Sequence, residues 1–256
     1  MAMSTETPSD TYERMFDIVK GPQRILMPID GYQHMPLVSL QQAVEPLITQ
    51  LPLIKRYADV AKLRCGDKPP DGLTADQSSS IMLYTMEWTP REQCLYFALN
   101  AALRDVDRDK LKLWFPYLRL ILTALSRLPS ISRTVYRGVH KDLNSEYTKG
   151  EIVTWWALSS CTLSLEVLKR DQFLGQTGTR TMFAIACTTG KDISRHSYYR
   201  KENEVLLLPA RQFEVISCLE PAIDLHLIQL DEVQSSLLVL PLLEEKIPSP
   251  GKTQFI

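Results

Sequence analysis

The chain has 256 residues, 45% of them apolar and 23% charged, which suits a globular protein able to bury a core without staples. A net charge of −1 argues against a general nucleic-acid or membrane-surface binder, while leaving room for a local basic pocket facing a phosphorylated ligand. No apolar run approaches the roughly 20 residues that span a bilayer, and neither a secretory signal nor a CxxC pair is present, so five reduced cysteines and a cytoplasmic location are expected.

Residues 1–35 are polar and broken by Pro22 and Pro28, and they read as an arm. Residues 36–130 read as helical. Leu40, Val44, Leu47 and Leu51 recur at spacings of three and four, while Pro46 and Pro52 predict a kink or two short helices. Leu53, Tyr57, Ala58 and Ala61 extend that periodicity up to a loop from Gly66 to Gly72. A second helix is expected from Asp76 to Glu87. Thr89, Pro90 and Glu92 then fit the N-cap, first and third positions of a capping box. The helix so capped would carry Leu95, Leu99, Ala102, Leu103 and Val106 on one face. A further helix shows Leu111, Phe115, Leu118, Leu122 and Leu125, perturbed by Pro116.

The texture changes at Ser130, and residues 131–235 read as a β core. Strands are expected at Thr134–Val139, Glu151–Ala157, Arg180–Cys187, Asn203–Leu208, Glu214–Cys218 and Leu225–Leu230. Few helices intervene, so the class is α+β with a mixed or antiparallel sheet. Neither GxGxxG nor GxxxxGK[ST] occurs, which removes the common dinucleotide and P-loop signatures. Residues 236–256 read as a tail.

Three short segments carry chemistry. In Val135-Tyr136-Arg137-Gly138-Val139, an arginine within an apolar strand needs a partner or an anion, and Gly138 permits close backbone approach. Thr154-Trp155-Trp156-Ala157-Leu158-Ser159-Ser160-Cys161-Thr162 runs from an aromatic strand into a hydroxyl-rich turn. In Glu202-Asn203-Glu204 two carboxylates open a strand; if that strand begins near Asn203, both lie on one side. Each segment alone is more often ordinary structure. His140, His196 and His226 lack metal-ligand spacing and read as structural, and no metal site is expected.

In this order the three segments resemble the R-S-E arrangement of the arginine-specific mono-ADP-ribosyltransferases, both clostridial-toxin-like and vertebrate. Val135–Val139 is similar to the family's YRG strand, Ser160-Cys161-Thr162 to its STS turn, and Glu202-Asn203-Glu204 to its ExE, with Phe213-Glu214-Val215 matching the strand that follows. The match spans roughly residues 130–220. Cys161 and Thr162 depart from the family's Thr and Ser, and Ser159 leaves the register of the turn open by one residue.

The resemblance implies a split β-sandwich, packed beside the helices, that holds NAD in a cleft. It implies transfer of ADP-ribose from NAD to an arginine of a protein acceptor with release of nicotinamide. NAD is then the co-substrate, and the charge and short apolar runs noted above leave neither nucleic acid nor membrane as an expected partner. In that scheme Arg137 holds NAD phosphate, the Gly138 backbone binds the carboxamide, and Ser160 positions the catalytic glutamate. Glu204 stabilises the oxocarbenium-like transition state and Glu202 activates the acceptor guanidinium. Residues Leu163–Thr179 would form a loop over the nicotinamide, with Phe173 stacking on it and Arg170 or Arg180 meeting a phosphate. Tyr198 or Tyr199 would contact the acceptor. Two alternatives stay open: a NAD glycohydrolase on the same site, or a catalytically silent module that binds NAD or protein.

Overall fold

Helix starts in the N-terminal half are fixed by side chains that satisfy otherwise orphaned backbone amides. In the computed structural model, which describes residues 26–170 and 173–234, Ser39 and Gln42 form a reciprocal capping box on α1 (Leu40–Val44). Thr74 and Gln77 form another on α3 (Ala75–Thr85). The expected break at Pro46 is a 3₁₀ turn over Glu45–Leu47, after which α2 (Ile54–Cys65) runs until Gly66, whose positive φ of 67° suits a residue without a side chain, ends it.

The capping box expected at Thr89 does not form. Pro90 is extended, ψ 152°, a 3₁₀ turn occupies Arg91–Gln93, and α4 (Leu95–Arg104) starts from Cys94 without a side-chain cap. Leu95, Leu99 and Leu103 of α4 are buried as expected, but Val106 lies beyond the helix and is exposed. Pro116 does not perturb α5 (Phe115–Arg127). It sits in the first turn, where a missing amide hydrogen costs nothing, and Leu111 belongs to a separate 3₁₀ stretch before it.

The expected α+β class is the observed one. The strands are β1 (Ser130–Val139), β2 (Ile152–Trp155), β3 (Ser159–Thr162), β4 (Arg180–Asp192), β5 (Glu204–Leu207), β6 (Arg211–Ala222) and β7 (Leu225–Val233). A short helix, α6 (Leu165–Leu168), precedes β4. Among the described residues there are seven strands rather than six, because Ser159–Thr162 is a strand and not a turn. Its four positions are all buried, and both of its edges are paired, with β1 on one side and β5 on the other. Compact hydroxyl and thiol side chains fit there.

All seven strands join in one mixed sheet of order β1-β3-β5-β4-β7-β6-β2, with an added β1–β4 pairing. The split expected of the sandwich is therefore a fork, not a gap. β4 runs antiparallel to β1 and parallel to β7 over most of its length, and at Lys191 and Asp192 it also pairs with β5. The pairings β1–β3–β5–β4 close on themselves, so the sheet curls.

Two cores result. One fills the helical half and takes in Leu158, Ile193 and Leu206 from the β region. The other lies within the sheet, where Phe183 meets Tyr147 and Trp155 edge-on, with ring centroids 5.1 and 5.5 Å away. Trp156 packs separately with Leu26 and Ala210, beneath the Arg108 guanidinium. No described helix is long and apolar enough to cross a membrane. The expected tail at 236–256 and most of the expected arm lie outside the described residues.

Two outcomes follow from this packing. Phe183→Ala leaves a cavity at a residue with no exposed surface, so urea unfolding should show a loss of about 3–5 kcal/mol with little change in slope. Cys94, Cys161 and Cys187 are buried, whereas Cys65 and Cys218 are half-buried. Maleimide should label the latter pair in the native protein and the other three only after unfolding.

Candidate active site

The polar residues singled out in the sequence converge on β1, β3 and β5. Antiparallel register sets Thr162 opposite Glu204, Cys161 opposite Val205 and Ser160 opposite Leu206. Side chains alternate along a strand, so Ser160, Thr162 and Glu204 share one face. Tyr136 joins them by pairing with Thr162.

Arg137, the next residue on β1, points to the other face. Its guanidinium is buried, donates from Nη1 to the Ser160 carbonyl at 2.8 Å and lies 6.0 Å from the Trp155 ring. Arg137 thus fixes the backbone of the serine that sequence comparison placed in the site. Tyr147 and Cys161 share this apolar surrounding, and burial pushes both hydroxyl and thiol up to about 12. The Arg137 and Glu204 charges both act on the Cys161 thiol, in opposite directions.

Glu204 is fully buried at the first position of β5, and its Oε2 accepts from Ser197 Oγ at 3.0 Å. Ser197 belongs to the turn after β4. The amides of His196 and Ser197 both donate to the Ile193 carbonyl at 2.8 Å, and the Tyr198 amide donates to Thr85 Oγ1 of α3 at 2.8 Å.

Glu202 is buried too, but it lies in a 3₁₀ turn over Arg200–Glu202, where its carbonyl accepts from Thr162 Oγ1 at 2.7 Å. The strand begins at Glu204, and Asn203 is left-handed, φ 48° and ψ 49°. The expectation that both glutamates fall on one side of an extended strand is therefore corrected. A left-handed pivot, which asparagine tolerates better than most residues, separates them.

Ser160 Oγ is buried with no hydrogen-bond partner. A buried hydroxyl left unmatched is uncommon, and on the face it shares with Glu204 it fits a polar ligand group.

The segment after α6 covers this region. A Cβ on Gly138 would stand 2.8 Å from Leu174 Cβ and 3.2 Å from its backbone. In this structure the glycine admits the protein's own loop. Phe173 is fully buried among Val167, Leu168 and Leu174, against Tyr136 and Met182. Arg180 donates to the Gly178 carbonyl at 2.7 Å. Tyr198 packs on the helical core, with the Arg64 guanidinium 4.2 Å from its ring centroid.

The model of the NAD:arginine ADP-ribosyltransferase family matches residues 45–236, from the 3₁₀ turn after α1 through β7. The chain belongs to this family. A protein of Mycobacterium avium (strain 104) assigned as a NAD(+)–arginine ADP-ribosyltransferase is 30% identical over 151 residues, covering 58% of this chain and 17% of that protein. The GPI-linked NAD(P)(+)–arginine ADP-ribosyltransferase 1 of Oryctolagus cuniculus is 29% identical over 165 residues, covering 60% of this chain and 47% of that one. The chain thus spans less than half the length of these relatives. The crystal structure of the ADP-ribosyltransferase Vis of Vibrio splendidus aligns with a TM-score of 0.52 at 23% identity, over 80% of this chain and 90% of that one, a likeness of fold.

Within the ADP-ribosyltransferase fold of this chain, sequence reasoning missed Ser197 and Thr85. Ser197 reaches a glutamate seven positions later through a turn with no regular period, and no helix or strand spacing signals such a contact. Thr85 lies on a different half of the molecule.

Gly138→Ala tests the close approach. The added methyl meets backbone as well as side chain at Leu174, so the loop has to shift. Thermal unfolding should report a loss of about 1–3 kcal/mol, and amide exchange at residues 173–175 should quicken. Unchanged exchange there would contradict the contact.

Proposed function

We propose that this chain is a NAD-dependent mono-ADP-ribosyltransferase that modifies arginine side chains of a protein acceptor and releases nicotinamide. The observation that carries the reading is the pairing of a fully buried, hydrogen-bonded Glu204 with an unmatched Ser160 hydroxyl on one face of β3 and β5, in a chain of this family.

Glu204 is the residue assigned to the bond that breaks. A carboxylate held in place before the reaction stabilises positive charge developing on the ribose as nicotinamide departs, and it spends nothing on reorganising. Ser197 restrains one of its oxygens and so sets the direction the carboxylate presents to the ribose. Ser160, its carbonyl tied by Arg137, offers its hydroxyl to the nicotinamide side of the substrate. Gly138 offers the backbone group for the carboxamide; Arg137 is assigned to phosphate, and because its buried guanidinium points to the opposite face here, that contact involves its turning from this position. Phe173 is assigned the aromatic contact to nicotinamide; it lies under its own apolar neighbours, so that contact involves rearrangement of the covering segment.

Glu202 is assigned to the acceptor. A guanidinium is protonated at neutral pH and is a poor nucleophile, so a carboxylate is needed to orient it and take its proton. Its placement on a turn, off the axis of β5 and separated from Glu204 by a left-handed residue, supports separate roles for the two glutamates. Five free cysteines suit a reducing compartment and support a cytoplasmic location.

The test follows nicotinamide and ADP-ribosyl-agmatine when the protein is given NAD with and without agmatine. Wild type should form both products. Glu204→Ala should lose about 10²–10³-fold or more in nicotinamide release. Glu202→Ala should lose transfer by about 10²–10⁴-fold while still hydrolysing NAD. Nicotinamide release without transfer in wild type would make the chain a glycohydrolase, and binding without turnover would make it a silent module.

A further inference from the structure

His196 has no part in the roles assigned above, yet it is fully buried between the two halves of the molecule. Its Nδ1 is 2.9 Å from Ser78 Oγ of α3, and its Nε2 is 3.0 Å from Asp71 Oδ2 in the loop before that helix. A carboxylate only accepts, so Nε2 presents its hydrogen to Asp71. In the neutral ring Nδ1 then takes the hydroxyl hydrogen of Ser78. Burial favours that neutral form and holds the imidazole below its usual range. Asp71 opposes the shift, and the Arg195 and Arg200 charges add to it. The Cys65 thiol closes the far side, 3.4 Å from Ser78 Oγ.

These three residues have the composition of a nucleophile relay, but Ser78 is 2% exposed on a helix buried along most of its length. No substrate reaches it, so the trio serves to hold position.

What it holds is the residue that follows. Ser197 donates to Glu204, and Tyr198 gives its amide to Thr85. The donor to Glu204 is therefore flanked by two ties to one rigid helix, Ser78 through His196 and Thr85 through the Tyr198 backbone. Losing either leaves the turn around Ser197 tied to α3 on one side only.

We propose that His196 is a positioning residue for the reaction: gripped by Ser78 and Asp71, it sets Ser197 so that its hydroxyl fixes the Glu204 carboxylate in the orientation used on NAD. This rests on the role given to Glu204 above. A purely structural histidine would lower stability without its effect passing through Ser197, and that difference is measurable.

The experiment compares nicotinamide release by wild type, His196→Leu, Ser197→Ala and the double variant, with amide exchange followed across residues 193–204 in the same proteins. Each single variant should lower kcat about 10-fold, the scale of one hydrogen bond, with the KM for NAD within about threefold. The double variant should be no slower than the slower single one, because both cuts act through one contact. His196→Gln, which keeps a donor toward Asp71, should recover part of the loss. Exchange at residues 193–204 should quicken in His196→Leu while α5 stays protected.

Losses that multiply in the double variant, or a wild-type kcat in His196→Leu, would overturn the proposal. If His196→Leu does not fold, Ser78→Ala takes its place in the same comparison, with the same masking by Ser197→Ala expected. If wild type itself releases no nicotinamide, the functional reading fails separately. Exchange then still decides the pinning, with faster exchange supporting it and unchanged exchange refuting it.

Discussion

A carboxylate with no exposed surface, at the first position of an interior strand, is the constraint around which the rest of the molecule is arranged. Taking such a group out of water is unfavourable unless its oxygens meet donors and its charge meets a partner. Here a hydroxyl from the preceding turn meets one oxygen, and on the opposite face the buried Arg137 holds the neighbouring strand by the Ser160 carbonyl. Neither device would stand without support. The turn is tied to α3, and the arginine is tied to the backbone of β3. Site and scaffold are in this sense one hydrogen-bonded structure.

That dependence explains why the two halves share side chains. Leu158, Ile193 and Leu206 come from the β region but pack in the helical core. Lys191, where β4 meets β1 and β5, is buried and donates to the Leu128 carbonyl at the end of α5 at 2.7 Å. Burial lowers its affinity for a proton. α3 carries the heaviest share: the hydroxyls of Ser79, Ser80 and Thr85 turn back onto carbonyls of their own helix, while that of Ser78 meets His196. A polar helix can thereby lie buried between the other helices and the turn that carries Ser197.

Much of this was legible in the sequence because it rests on periodicity. Leu95, Leu99 and Leu103 mark the buried face of α4 at helical spacing, and the strands of the β half announce themselves by β-branched and aromatic content. The three motif segments were legible because their residue types are unusual for a strand or a turn. The failures share another cause. Thr89-Pro90 carries the letters of a capping box, but the chain is extended there, and local signals do not report where the chain must go next. Ser159–Thr162 looks like a turn because small hydroxyl residues favour turns, yet pairing on both edges overrides that preference. Asn203 falls at the start of an apolar run with strand character, yet asparagine is among the residues that most readily turn left-handed, and here it does. The grip of Ser78 and Asp71 on His196 joins residues far apart in the chain, so no window of sequence contains it.

The fork at β4 also sets an order of assembly. Among the described strands this one alone pairs with β1, β5 and β7; β1 lies well before it in the chain and β7 well after it. Closing such long loops has to precede any return from the contacts they bring, which slows the formation of a sheet relative to local helices. During synthesis the helical half emerges first and can collapse on its own near-neighbour contacts. β1 and β3 then wait with open edges until β4 and β5 have left the ribosome, and that interval is when the nascent chain is most exposed to pairing with the wrong strand.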